Sequence, residues 1–153
     1  MVTTATTLSP HQLLDQVMDP ELPFLSIADL GILRRVETVG TRVRVTITPT
    51  YSGCPAMDAI RKDIESMLDS HGYQPEVVLS RAPAWTTDDL SPRARDLLQQ
   101  HGFAPPQPDH SVGCPRCADG PARVVSRFGS TACKALMVCG SCGEPFDLFK
   151  ELR

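Results

Sequence analysis

RVRVTITPTYSGCPAMDAIRKDIESML, residues 42–68, decides the fold. In its first part Val43, Val45 and Ile47 point one way and Arg42, Arg44 and Thr46 the other, the period of a strand with one buried and one wet face. In its last part Met57, Ile60, Ile64, Met67 and Leu68 recur at helical spacing. The period changes at Cys54 and Pro55. Proline suits a helix start because its missing N–H costs nothing there. Serine or aspartate would cap such a helix at least as well as cysteine, so the thiol calls for an account of its own. At the positive end of the helix, beside free backbone N–H groups, it is expected to titrate below the free thiol value of about 8.5, which suits a nucleophile or a soft metal ligand. The plainer reading is a small buried residue at a tight turn. Gly53 allows close backbone approach there, and Thr50 and Ser52 add hydroxyls.

Working outward, GILRRVETV before Gly40 supplies the partner strand of a hairpin. Ser9 and Pro10 give a cap and a first turn, and Leu13, Leu14, Val17 and Met18 continue a short helix up to DPEL. After the long helix, which Gly72 stops, EVVLS at 76–80 reads as a third strand. Ser91 and Pro92 open a last helix that Gly102 ends. Trp85 reads as a structural anchor before that helix, and Asp88 and Asp89 as complements to its dipole. The expected class is α+β: a small mixed sheet with helices packed on one face, in the order α-β-β-α-β-α. APPQPDHSVG, 104–113, reads as a semi-rigid proline-rich linker. The expected organisation is therefore an αβ domain over 1–103, a linker over 104–113 and a tail over 114–153.

That tail carries five of the six cysteines. Cys114 and Cys117 form one C-x-x-C pair and Cys139 and Cys142 a second. Two residues between ligands let a tight turn aim both sulfurs at one ion, and two such turns complete a tetrahedron. ARVVSRFG, KALMVC and PFDLFKEL read as three short strands, so the tail is expected to be a three-stranded zinc ribbon. Four thiolates suit iron or a cluster as well as zinc; zinc is the expectation. So small a tail needs the metal for its stability, on the order of 10 kcal/mol for structural zinc. Cys133 is either a small buried hydrophobe or a further metal ligand. Ala118 stands where ribbon turns often place glycine.

Composition limits the alternatives. With 41% hydrophobic and 22% charged residues the chain is globular, and no stretch approaches the roughly 18 apolar residues of a membrane span. MVTTATTLSPHQ lacks the marks of a secretion signal, so the protein is expected in the cytoplasm, where paired cysteines bind metal more often than they form disulfides. The formal charge of −3 opposes a nucleic-acid coat, although the last 43 residues carry a net +2. Histidines 11, 71, 101 and 110 are scattered, and none has a Glu three residues before it, so the Glu-x-x-His pairs of a di-iron oxygenase are missing.

DPELPFLSIADLGILRRV, TPTYSGCPAMDAIRKDI and VVLSRAPAWTTDDLSPRARDLLQQHGFAPP resemble the MIP18-like family of iron-sulfur assembly factors, which includes the bacterial SufT proteins. Adding CPRC and FGSTACKALMVCGSCGEPFDLFK narrows the resemblance to the PaaD family, small subunits associated with the bacterial phenylacetyl-CoA epoxidase system. The resemblance implies that Asp19, Pro20, Glu21 and Cys54 occupy signature positions, with Cys54 as the functional thiol. From the residue pattern alone, Asp19, Glu21 and Asp29 read equally as caps or solvated charges. The resemblance further implies a role in phenylacetate catabolism: iron or iron-sulfur maturation of the oxygenase and reductase subunits through Cys54, without catalysis by the chain itself. The alternative is a structural subunit that holds the oxygenase complex together. Neither nucleic acid nor membrane is expected as a partner, and a homodimer is left open.

Overall fold

The computed structural model describes residues 7–107 and 112–151. Contacts divide the chain into two compact units, Met1–Ala84 and Trp85–Arg153.

In the first unit Ser9 caps α1 (Pro10–Leu14), accepting from the Gln12 N–H while the Gln12 side chain accepts from the Ser9 N–H. The helix ends at Leu14, short of the expected Met18, because the next backbone is used elsewhere. Ile27 donates to the Val17 carbonyl at 2.9 Å, Asp19 donates to the Leu25 carbonyl at 2.9 Å, and Met18 bridges Ser26. Val17 is still buried, while Met18 faces outward.

Strands β1 (Leu33–Val39) and β2 (Arg42–Ile47) pair antiparallel across Gly40, whose φ of 59° lies in the left-handed region that glycine adopts freely. Helix α2 (Ala56–Asp69) then crosses over to β3 (Gln74–Leu79), which pairs parallel to β2, so the sheet is mixed, in the order β1-β2-β3. Val43, Val45 and Ile47 are buried, and α2 contributes Met57, Ile60, Ile64 and Leu68 to the core. The opposite face carries exposed ion pairs, Arg35 with Glu37 at 3.0 Å and Arg44 with Glu76 at 3.8 Å, each worth up to about 1 kcal/mol.

The second unit begins at Trp85, which is buried and meets the Phe149 ring edge to face at 6.2 Å. This is the anchor role the sequence suggested. Asp88 and Asp89 lie in a separate 3-10 turn, Thr87–Asp89, where the Asp89 carboxylate accepts from the Thr86 N–H. Ser91 caps α3 (Pro92–Gln100) through the Ala94 N–H, and β4 (Phe103–Ala104) follows. Strands β5 (Ala122–Ser126), β6 (Lys134–Cys139) and β7 (Pro145–Phe149) form an antiparallel ribbon.

The α+β class and the three ribbon strands agree with expectation, with two differences. The ribbon sheet has a fourth strand, because β4 pairs parallel to β7 in the order β4-β7-β6-β5. Packing also divides the chain at Ala84 and Trp85, whereas the composition reading divides it at 103 and 104. The physical reason is that β4 pairs with β7 and buries Ala104 in one cluster with Cys114, Met137 and Phe146, while Arg95 ties α3 to the same segment by donating to the Thr87 and Pro106 carbonyls at 2.8 Å each. Residues 108–111 of the expected linker lie outside the described residues. Among the described residues no helix is long and apolar enough to cross a membrane.

Candidate metal centre and thiol site

Cys114, Cys117, Cys139 and Cys142 converge, with all four sulfurs within 4.8 Å of one another. Cys114 and Cys142 Sγ are 3.8 Å apart and Cys117 and Cys139 Sγ are 3.6 Å apart. A tetrahedral ion with metal–sulfur bonds of about 2.3 Å requires sulfur–sulfur edges of about 3.8 Å, so the set fits a four-coordinate metal.

Two chemically similar turns build the cluster. In the first, Arg116 N–H donates to Cys114 Sγ at 3.4 Å and Ala118 N–H to the Cys114 carbonyl at 2.9 Å. In the second, Ser141 N–H donates to Cys139 Sγ at 3.4 Å and Gly143 N–H to the Cys139 carbonyl at 3.1 Å. The residue after each pair turns left-handed: Gly143 at φ 75° and Ala118 at φ 55°. Alanine therefore occupies the glycine position with the N–H to sulfur contact intact, at a cost of about 1–2 kcal/mol. The turns are also packed against each other, since a Cβ on Gly120 would collide with the Ser141 side chain. A Cβ on Gly140 would lie 2.7 Å from the Pro121 carbonyl oxygen.

Without an ion the sulfurs divide their protons unevenly. The backbone N–H of Cys142 leads in lowering Cys139 to about 6, and that of Cys117 leads in lowering Cys114. The Asp119 backbone pulls Cys117 down, but burial and the sulfurs of Cys139, Cys142 and Cys114 outweigh it and push that thiol up to about 12. Cys142 is raised as well; its bond to the Glu144 backbone is outweighed by burial and the Cys139 sulfur. Sulfurs held at such different proton affinities are a receptive set for a cation that displaces the protons they still carry.

Cys133, the candidate fifth ligand, is not in this group. It is buried, and its sulfur lies 3.0 Å from Thr131 Oγ1. It sits at the start of β6, where a small apolar side chain fills the interior.

Cys54 lies at the entry to α2, half-buried, between β2 and the helix. The expected lowering of its pKa is overturned. Burial leads in raising it, Glu21 and Asp19 raise it further by charge repulsion, and the Ala56 backbone bond and the Thr50 hydroxyl only partly offset this. The helix end does stabilise the thiolate, but desolvation and two carboxylates win. Thr50 thus has the part its place in the turn suggested.

The charges of Glu21 and Asp19 thus reach the thiol from a loop some thirty residues earlier. Asp19 is buried, and its Oδ1 accepts from the N–H groups of Glu21 and Leu22 at 2.8 Å each, so it also closes its own loop. Asp29 is tied to Ser26, whose hydroxyl donates to its carboxylate at 3.1 Å and accepts from its N–H at 3.0 Å. Asp29 is thus a local cap, and Asp19 is a cap whose charge also acts on the thiol. The sequence reading missed Gly120 and Asp119, whose carbonyl lies 3.3 Å from Cys117 Sγ. Their signal was a glycine three residues beyond Cys117 at φ 78°.

Fold and cysteine geometry together define a small α+β domain followed by a β ribbon whose four cysteines can hold a metal. Residues 11–74 match the family described as iron-sulfur cluster assembly protein, and residues 99–150 match the PaaD zinc beta ribbon domain. The chain belongs to the PaaD family. It is 46% identical, over 94% of its own length and 96% of the other's, to an Escherichia coli protein provisionally named as one of the subunits of 1,2-phenylacetyl-CoA epoxidase. It is also 36% identical, over 54% of its length and 81% of the other's, to an Fe-S protein maturation auxiliary factor of Porphyromonas gingivalis. A solved domain of unknown function from Bacillus anthracis matches with a TM-score of 0.54 and 28% identity, covering 58% of this chain and 87% of that one. A conserved hypothetical protein of Thermotoga maritima matches with a TM-score of 0.50 and 28% identity, covering 63% and 96%.

Proposed function

We propose that this chain is a cytoplasmic accessory subunit of the phenylacetyl-CoA epoxidase system of aerobic phenylacetate catabolism. In this reading it assists iron or iron-sulfur maturation of the oxygenase and reductase subunits through Cys54 and is not itself a catalyst. What supports it is that the charges of Glu21 and Asp19 act on Cys54 at the start of α2, within the stretch that matches the assembly family. A thiol whose pKa is raised by burial and by two carboxylate charges makes a poor resting nucleophile, and the same negative charge favours an arriving cation. Ferrous iron as cargo would take the sulfur's electron pair, release the proton to solvent and meet carboxylate charge already in place. Zinc, held by Cys114, Cys117, Cys139 and Cys142, would be structural, since four protein thiolates close the coordination sphere.

The test is Cys54→Ala in cells that make the whole system. The variant should keep its fold and its tail zinc while cluster occupancy of the reductase falls, and normal occupancy would discard the maturation role. One observation favours a purely structural subunit: Cys54 is half-buried with its pKa raised by burial, and Asp19 already serves its own loop. On that reading Cys54→Ala leaves both reductase occupancy and co-purification stoichiometry unchanged.

A further inference from the structure

The ribbon presents a surface that the metal cluster does not use. β5 is the outer strand of its sheet, with no strand beyond it among the described residues. Val124 and Val125 are 53% and 52% exposed, and Phe128, just past the strand, is 67% exposed. Exposed apolar residues scattered singly are ordinary; three within five positions on a sheet edge form a patch. The pairing with β6 is irregular between Val124 and Ser126, and both valines are exposed there.

Phe128 is held in place. Lys150 Nζ lies 4.5 Å from its ring centroid and donates to the Arg127 carbonyl at 3.0 Å. Ser126 Oγ donates to the Phe128 carbonyl at 2.7 Å and accepts from its N–H at 3.3 Å. A ring fixed from two sides and still open to water is pre-organised for contact.

Along the strand edge itself the charge has one sign. Arg123 and Arg127 flank the valines, Lys150 stands over the ring, and the segment 121–128 contains no acid. Among the described residues neither arginine forms an ion pair. Beside the strand runs an apolar groove of about 560 Å³, lined by Pro106, Val112, Pro121, Val124, Met137 and Leu148, with Glu151 also on its wall. Val124 belongs to both groove and edge.

We infer that the β5 edge with Phe128 is a docking surface for an extended partner segment that alternates acidic and apolar side chains. The open strand edge favours an extended occupant over a helix, and the three cations favour carboxylates. Because the bulge interrupts regular pairing, side chains carry much of the contact and set its specificity. A second copy of this chain is a poor occupant, since antiparallel pairing of two β5 edges brings Arg123 and Arg127 of both copies together. The inference is independent of whether Cys54 handles iron.

The test uses the full zinc-loaded chain and a blocked decapeptide alternating Glu and Val, with its Lys and Val counterpart as control. Amide shifts on titration should move over residues 122–128 and at Lys150, and the lysine peptide should bind at least about tenfold more weakly. Arg123→Glu with Arg127→Glu should weaken the acidic peptide by about tenfold or more. Phe128→Ala should weaken it without altering zinc content. Absence of shifts at millimolar peptide, equal binding of the two peptides, or shifts confined to other surfaces would overturn the inference. So would self-association in sedimentation that Phe128→Ala abolishes, because the occupant would then be a second copy.

Discussion

Two side chains carry the sharpest expectations. Cys54 holds its proton to higher pH in the folded chain than in the unfolded one, because of burial first and the Glu21 and Asp19 carboxylates after it. Its contribution to stability is therefore fully present below the ordinary thiol value and is lost as pH rises through the folded value. Iodoacetamide should alkylate Cys54 more slowly than glutathione at pH 7, with a rate profile displaced to higher pH, while zinc protects Cys114, Cys117, Cys139 and Cys142 and burial protects Cys133. Glu21→Gln should move that profile back toward lower pH, and an unmoved profile would mean the carboxylate does not act on the sulfur. Ala118 gives the second expectation. It takes φ 55° at the place where the other turn has Gly143 at φ 75°. Ala118→Gly should stabilise the zinc form by about 1 kcal/mol and Gly143→Ala should destabilise it by a similar amount, read as shifts in thermal midpoint at fixed excess zinc.

Among the elements, α2 bears the most weight in the first unit. Ile64 is fully buried on its inner stripe, so Ile64→Ala should cost about 2–5 kcal/mol in chemical denaturation. This helix, the β1–β2 hairpin and the ribbon strands were legible in the sequence because each is announced by its own period, Val43-Val45-Ile47 at two residues and Ile60-Ile64 at nearly four. Elements set by distant partners were not legible. Residues 17–19 continue the helical pattern of α1, but their backbone is bonded to 25–27. β4 is two residues long and exists only because β7, more than forty positions later, lies beside it. The site divides in the same way. The four tail ligands follow from spacing alone, since a C-x-x-C turn is local chemistry. The direction of the Cys54 shift did not, because burial and the charges of Asp19 and Glu21 come from elsewhere in the fold.

At the scale of the molecule, two units with different sources of stability should fail separately. The first rests on an apolar core around Leu25, Ile27, Ile47, Ile60 and Leu68, whereas the second brings together four sulfurs that an ion would tie. Titration with a strong chelator should abolish amide protection in β5, β6 and β7 while β1, β2 and α2 stay protected. Simultaneous loss would refute separate stabilisation. The pairing of Phe103 and Ala104 with Asp147 and Leu148 has a practical corollary for anyone dividing this chain. A fragment cloned from Gly113 onward would contain every tail cysteine and load its ion, yet its final strand would have a bare flank inviting self-stacking. The cut that respects the packing lies before Trp85.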